Sequence, residues 1–149
     1  MPGNPNKLSM SLITPAYNNA DEVRKLLASI KPEFLNDPTL EVIVVDDSSS
    51  DDSIGRVVKE SGFARYIRLA KNSGPAEARN IGAKSAKNEV LVFVDSDVIL
   101  NSDTLSRIRD KFIHDKSVAV LGGEYDLEPA NPCFSTKFKS LMVLSLIHI

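Results

Sequence analysis

The stretch LEVIVVDD, Leu40 to Asp47, constrains the fold more than any other part of the chain. Val42 to Val45 is an unbroken run of β-branched residues with no polar position for a solvent face. Such a strand must be covered on both sides. A sheet buried on both faces carries helices on both faces, which calls for crossover connections and parallel strands.

The remainder of the sequence supplies those connections. LSMSLITPAY begins with a strand expected to stop at Pro15. Val23, Leu26, Leu27 and Ile30 follow helical spacing, in a helix expected to open at Asp21 and close before Pro32. Serines and aspartates after Asp47 cap a helix that stops at Gly62, with Asp51 and Asp52 as the capping acids. ARYIRLA reads as a third strand, and GPAEARNIGAKSAKN as a helix with Pro75 in its first turn. EVLVFVD is a fourth strand, Leu105, Ile108 and Phe112 mark a further helix, and SVAVLGG reads as a fifth strand. The expected class is α/β, a mostly parallel central sheet with helices on both faces. Ligands of such sheets bind beyond the carboxyl ends of the strands. Pro15, Ala16 and Tyr17, then Asp46 and Asp47, then Asn72 and Gly74, then Asp95 and Asp97 all fall at those ends.

Composition narrows the partners. A net charge of -2 carries no nucleic-acid footprint. Cys133 is the lone cysteine and cannot form an internal disulfide. The opening MPGNPNKLSM lacks the apolar core of a signal peptide, and no run is apolar enough to span a bilayer. The expected setting is cytoplasmic, with the inner face of the membrane as an option. Residues 1–8 read as a polar lead, 9–128 as the ligand-binding domain, and 129–149 as the start of an acceptor-side or membrane-facing segment. That last segment pairs a broad apolar face with Lys137 and Lys139 and stops abruptly, as a truncated chain would.

Asp95 and Asp97 flank one serine at the end of an apparently buried strand. In an extended segment, side chains two apart point the same way. Two like charges so placed repel, unless a hard divalent cation takes both as oxygen ligands. Mg²⁺ or Mn²⁺ suits such a pair, because phosphate oxygens and water complete its shell. An exposed turn would contain the same triplet without any metal. Asp46 and Asp47 could accept hydrogen bonds from a base or ribose, or could cap the next helix. Gly74 lets backbone approach a ligand closely. Arg79 could pair with a phosphate, with Glu77, or with the acidic strand ends. His114, His148 and Cys133 have no partners at ligand or nucleophile spacing and read as surface or packing residues.

Taken together, SLITPAYNN, VIVVDDSSSDD, NSGPAEARNIGAKSA and VLVFVDSDV resemble, in order and spacing, the inverting family 2 glycosyltransferases of the GT-A fold. The resemblance covers Met10 to Gly123. It implies a nucleotide-diphosphate-sugar donor lying across the strand ends. Pro15, Ala16 and Tyr17 would lie near the nucleotide, and Asp46 or Asp47 would contact base or ribose. Arg79 would lie near the donor or the acidic pair, Asp95 would face ribose or metal, and Asp97 would be the principal ligand of a divalent cation, Mn or Mg. The acceptor would be a saccharide or a lipid-linked sugar, with peripheral membrane contact as an option. Val98 stands where many relatives carry a polar residue. The general base is expected beyond Ile149, with Glu124 and Asp126 as weak candidates. Three rivals remain: a receiver-type Mg²⁺-binding phosphoacceptor domain, a nucleotidyltransferase, and a non-catalytic nucleotide-sugar-binding fragment. A receiver would carry its acidic pair on the first strand, and a nucleotidyltransferase would carry a basic, Gly-rich loop after it. Neither is seen.

Overall fold

The computed structural model describes residues 8–37 and 39–123. Its contacts divide the chain after Asp115, and the architecture that follows belongs to the first unit. Glu124, Asp126, Cys133, His148 and the segment 129–149 lie outside the described residues.

The unit alternates β1 (Met10–Ala16), α1 (Ala20–Asn36), β2 (Glu41–Asp46), α2 (Ser53–Ser61), β3 (Arg65–Arg68), α3 (Pro75–Ser85), β4 (Val90–Phe93) and α4 (Thr104–His114). The strands form one parallel sheet in the order β3-β2-β1-β4. The chain therefore steps outward from β1 to β3, then crosses back over two strands to place β4 on the far side of β1. Crossovers of one hand taken in opposite directions put their helices on opposite faces. Accordingly, α1, α2 and α4 pack with Met10, Leu12, Val42 and Val44 on one face. Ala78 of α3 packs with Ile13, Ile43 and Val45 on the other. Val42 to Val45 are 1% exposed or less, as their composition demands. Gly82 lets α3 lie close on the sheet, because a Cβ there would collide with Ile13 and press on Val45.

Several local expectations give way. Pro15 does not stop β1: it pairs in register with Val45 inside the strand. The Ile13 carbonyl points to β4, where it accepts from the Val94 N–H. Pro15, two residues on, faces the same side just where β4 has ended, so its missing N–H forfeits no ladder bond. Helix α1 begins at Ala20 with Asn19 as its N-cap, not at Asp21, and runs through Pro32 to Asn36. An interior proline costs about 3 kcal/mol, so the last turn must be held from outside. Phe34 stacks on Phe63 at 4.6 Å, and Glu33 accepts the Leu105 N–H at 3.3 Å.

SVAVLGG forms no strand, since residues 117–123 carry no ladder. Its apolar positions fit a strand, but a strand needs a neighbour to satisfy its backbone, and its terminal Gly-Gly is costly to order. Nor is β4 buried on both sides. Val90 and Val92 pack on the α1 face, while Leu91 and Phe93 are 36% and 48% exposed on the α3 face. With β1 as its single neighbour among the described residues, β4 is an edge strand there.

Candidate functional site

The order β3-β2-β1-β4 sets the carboxyl ends of β1 and β4 side by side, and the space beyond these strand ends is the crevice in which α/β sheets bind ligands. The polar residues singled out above surround that crevice. Pro15 and Ala16 are buried at the end of β1, and Tyr17 beyond them is 50% exposed. Asn18 takes a left-handed φ of 52°. Its side-chain oxygen accepts the Ser50 N–H at 2.8 Å and the Ser50 hydroxyl at 3.0 Å. Asn19 Oδ1 accepts the Tyr17 N–H at 3.0 Å, and its Nδ2 donates to Ser96 Oγ at 2.6 Å.

At the end of β2, Asp46 is fully buried. Its Oδ1 accepts from the Ser49 N–H at 2.8 Å and the Ser49 hydroxyl at 2.6 Å, and its Oδ2 accepts from the Tyr66 hydroxyl at 2.5 Å. Burial, then the hydrogen bond to Asp46, pushes the Tyr66 phenol up to about 12. Arg68, at the end of β3, donates to the Ser49 carbonyl at 2.6 Å and stands 3.9 Å from Asp46 Oδ2. Asp47 is 4% exposed and reaches the other way. Its two oxygens accept the Ser73 N–H at 2.8 Å and the Gly74 N–H at 2.7 Å. This clasp fixes the loop entering α3, where Gly74 adopts φ 87°, ψ 160°, a conformation open almost only to glycine. Asn72 is exposed beside it. Asp51, rather than the N-cap Asp52, takes the Ser53 N–H at the start of α2.

Arg79, on the second turn of α3, ion-pairs with Asp95 and not with Glu77. β4 ends at Phe93, and the Val98 N–H closes a turn onto the Asp95 carbonyl at 3.1 Å. The extended geometry expected for Asp95 and Asp97 is therefore replaced by a turn. Even so, the burial pattern alternates: Asp95 is exposed, Ser96 is 7% exposed, and Asp97 is exposed. Both carboxylates face solvent, and Asp97 has no hydrogen-bond or ion-pair partner among the described residues. No group of three or more His, Cys, Asp or Glu side chains gathers for a metal among those residues. The pair thus fits a hard cation that draws most of its ligands from water or phosphate, and does not fit an all-protein cage.

Asn18, Asn19, Ser49, Tyr66, Arg68 and Ser96 belong to this edge, though sequence reasoning passed over them. The adjoining asparagines after a strand end were the available signal. His114 sits exposed at the end of α4, its Nδ1 against the Asp110 carbonyl at 2.8 Å. A cavity of about 250 Å³ lined by Glu33, Asp37, Leu40 and Arg109 lies at the opposite ends of the strands and has no part in the crevice. No helix among the described residues is long and apolar enough to cross a membrane.

A parallel α/β unit with acidic residues gathered at the carboxyl ends of its strands belongs to the broad class of α/β ligand-binding domains. The chain belongs to glycosyl transferase family 2, whose sequence model matches residues 11–133. It is 30% identical over 122 residues to the poly(ribitol-phosphate) beta-N-acetylglucosaminyltransferase TarP of Staphylococcus aureus strain N315, spanning 80% of this chain and 37% of that protein. The crystal structure of S. aureus TarS 1-349 in complex with UDP-GlcNAc superposes with a TM-score of 0.64 at 32% identity, covering 72% of this chain and 32% of that one. The mannosyltransferase PcManGT from Pyrobaculum calidifontis, in complex with GDP-Man and Mn²⁺, gives a TM-score of 0.61 at 26% identity, covering 67% and 31%. The chain spans 37% of the length of TarP and 18% of that of TarS from S. aureus strain Mu50. This membership disfavours the receiver and nucleotidyltransferase readings.

Proposed function

We propose that this chain is the donor-binding part of an inverting glycosyltransferase that moves a sugar from a nucleoside-diphosphate donor to an acceptor hydroxyl with the help of a divalent cation. The observation that carries the proposal is Asp97, an unpartnered exposed carboxylate on a turn whose other polar groups are engaged. Asp95 and Asp97 would hold Mn²⁺ or Mg²⁺, which when bound offsets charge on the leaving diphosphate. Around it, the chain's own groups bind and orient. Pro15, Ala16 and Tyr17 form the wall at the switch point. Asp46 and Asp47 are both buried with their oxygens bonded within the protein, so a ribose or base contact at β2 falls to the Ser73–Gly74 loop that Asp47 orders. Arg79 pairs with Asp95 and is placed to turn its guanidinium to a phosphate.

Inverting transfer also needs a general base on the acceptor side. The described carboxylates at this edge are committed to cation and scaffold, so we assign that base to a part of the longer relatives outside the stretch this chain spans. The acceptor would be a saccharide, a lipid-linked sugar or a polyol-phosphate polymer of the kind named for TarP. Peripheral contact with the inner face of a membrane is compatible with such acceptors.

Calorimetric titration of UDP and of GDP, with Mn²⁺ and with chelator, tests the reading in wild type and Asp97→Ala. Cation-dependent binding of one nucleotide, lost in the variant, is the expected result. A folded wild-type chain that binds neither nucleotide, or whose binding ignores both chelator and the substitution, would sink it.

A further inference from the structure

We infer that Asn19 is a positioning residue that ties the end of β1 to the acidic turn after β4, so that the nucleotide side and the cation side of the crevice are held as one body. The inference rests on the donor reading above and adds a residue to it. Asn19 is the N-cap of α1, yet its side chain makes no capping hydrogen bond. An asparagine at this position ordinarily turns its oxygen to the N–H of the second or third helical residue. Here the oxygen takes the Tyr17 N–H at 3.0 Å and the amide nitrogen donates to Ser96 Oγ at 2.6 Å. The amide orientation is fixed by chemistry, because a backbone N–H can only donate and must meet the oxygen.

The local rule is thus given up for a contact between segments far apart in sequence. Such a conflict between local preference and tertiary use marks functional sites. Ser96 is the buried residue between Asp95 and Asp97, so its hydroxyl is the handle by which the turn can be held without touching either carboxylate. Tyr17 is the exposed residue at the nucleotide end. One side chain therefore sets the spacing between the two ends of a bound nucleoside diphosphate. The β1 loop is fastened in turn to β2, because the Asn18 N–H donates to Ser49 Oγ at 3.0 Å.

The test titrates Mn²⁺ into the 149-residue chain in excess UDP, for wild type, Asn19→Ala, Ser96→Ala and the double variant, with thermal melts confirming that each is folded. Each single variant should weaken Mn²⁺ binding about threefold to tenfold, the range of one net hydrogen bond. The double variant should lose no more than the weaker-binding single. Additive losses, or wild-type Mn²⁺ binding by a folded Asn19→Ala, overturn the clamp while leaving the donor reading intact. A wild type that binds neither UDP nor Mn²⁺ overturns the donor reading. Backbone amide resonances judge the clamp without ligand: those of Asp95 to Val98 should shift in Asn19→Ala, and unmoved resonances would overturn it.

Discussion

At the end of β2, Asp46 and Asp47 are 0% and 4% exposed, and each of their carboxylate oxygens accepts a hydrogen bond. At the end of β4, the Asp95 side chain is 52% exposed against one arginine, and Asp97 faces solvent without a partner among the described residues. The same residue type, paired at equivalent places in the sheet, serves opposite ends. The β2 pair spends its oxygens on the protein: Asp46 joins β2 to β3, and Asp47 joins β2 to the loop entering α3. The β4 pair leaves oxygen exposed to solvent, where the proposed cation would bind. A buried carboxylate must be fully bonded to be tolerated. An exposed one need not be, and the freedom is what a ligand can use.

Stability measurements can break that comparison, beginning with its buried side. Asp46→Ala leaves the Tyr66 hydroxyl and two Ser49 donors facing a void. Urea denaturation should show a loss of roughly 3 kcal/mol. A loss under about 1 kcal/mol would mean that the Asp46 network is not holding the sheet. Gly74→Ala imposes a side chain on φ 87° and should cost about 2 kcal/mol in the same assay. It should also loosen the clasp from Asp47.

Tyr66→Phe should cost about 1 kcal/mol near neutral pH and should change the alkaline limb. The folded phenol sits near 12 against an ordinary 10.0. Its stabilising share is therefore complete below about pH 10 and is lost as pH rises through about 12. The variant's stability should be flatter across that window, and equal slopes in the two proteins would remove Tyr66 from the account. The smallest stability effect belongs to Asp97→Ala, within about 0.5 kcal/mol of wild type, even though cation-dependent nucleotide binding is expected to vanish. A large loss of stability there would erase the distinction between the two pairs.

How much of this was legible in the sequence follows the range of the interactions. The Val42–Val45 run announced the doubly covered sheet, and the alternation of elements announced its parallel strands. The acidic residues at strand ends were visible because strand ends are local features. Pro32 misled, because Phe63, which stacks on Phe34, and the Leu105 N–H, which donates to Glu33, come from elsewhere in the chain. Residues 117–123 misled because a strand depends on its neighbours as much as on its own composition. Asn19 was passed over because its partner Ser96 is 77 positions away. Whether Asp46 or Asp95 would be the buried one was equally hidden. Both follow apolar runs, and only the sheet order makes β2 interior and, among the described residues, β4 an edge.

That order also has a temporal side. Met10 of β1 pairs with Val90 of β4, so nearly the whole unit intervenes between the first strand and the one that completes the crevice. Closing so long a span is slow relative to forming neighbouring turns. During synthesis, β1, β2 and β3 can assemble while Asp95 and Asp97 have yet to leave the ribosome. The acidic turn then docks against a wall that already exists, and a half-made chain lacks the two carboxylates on which the proposed cation site depends.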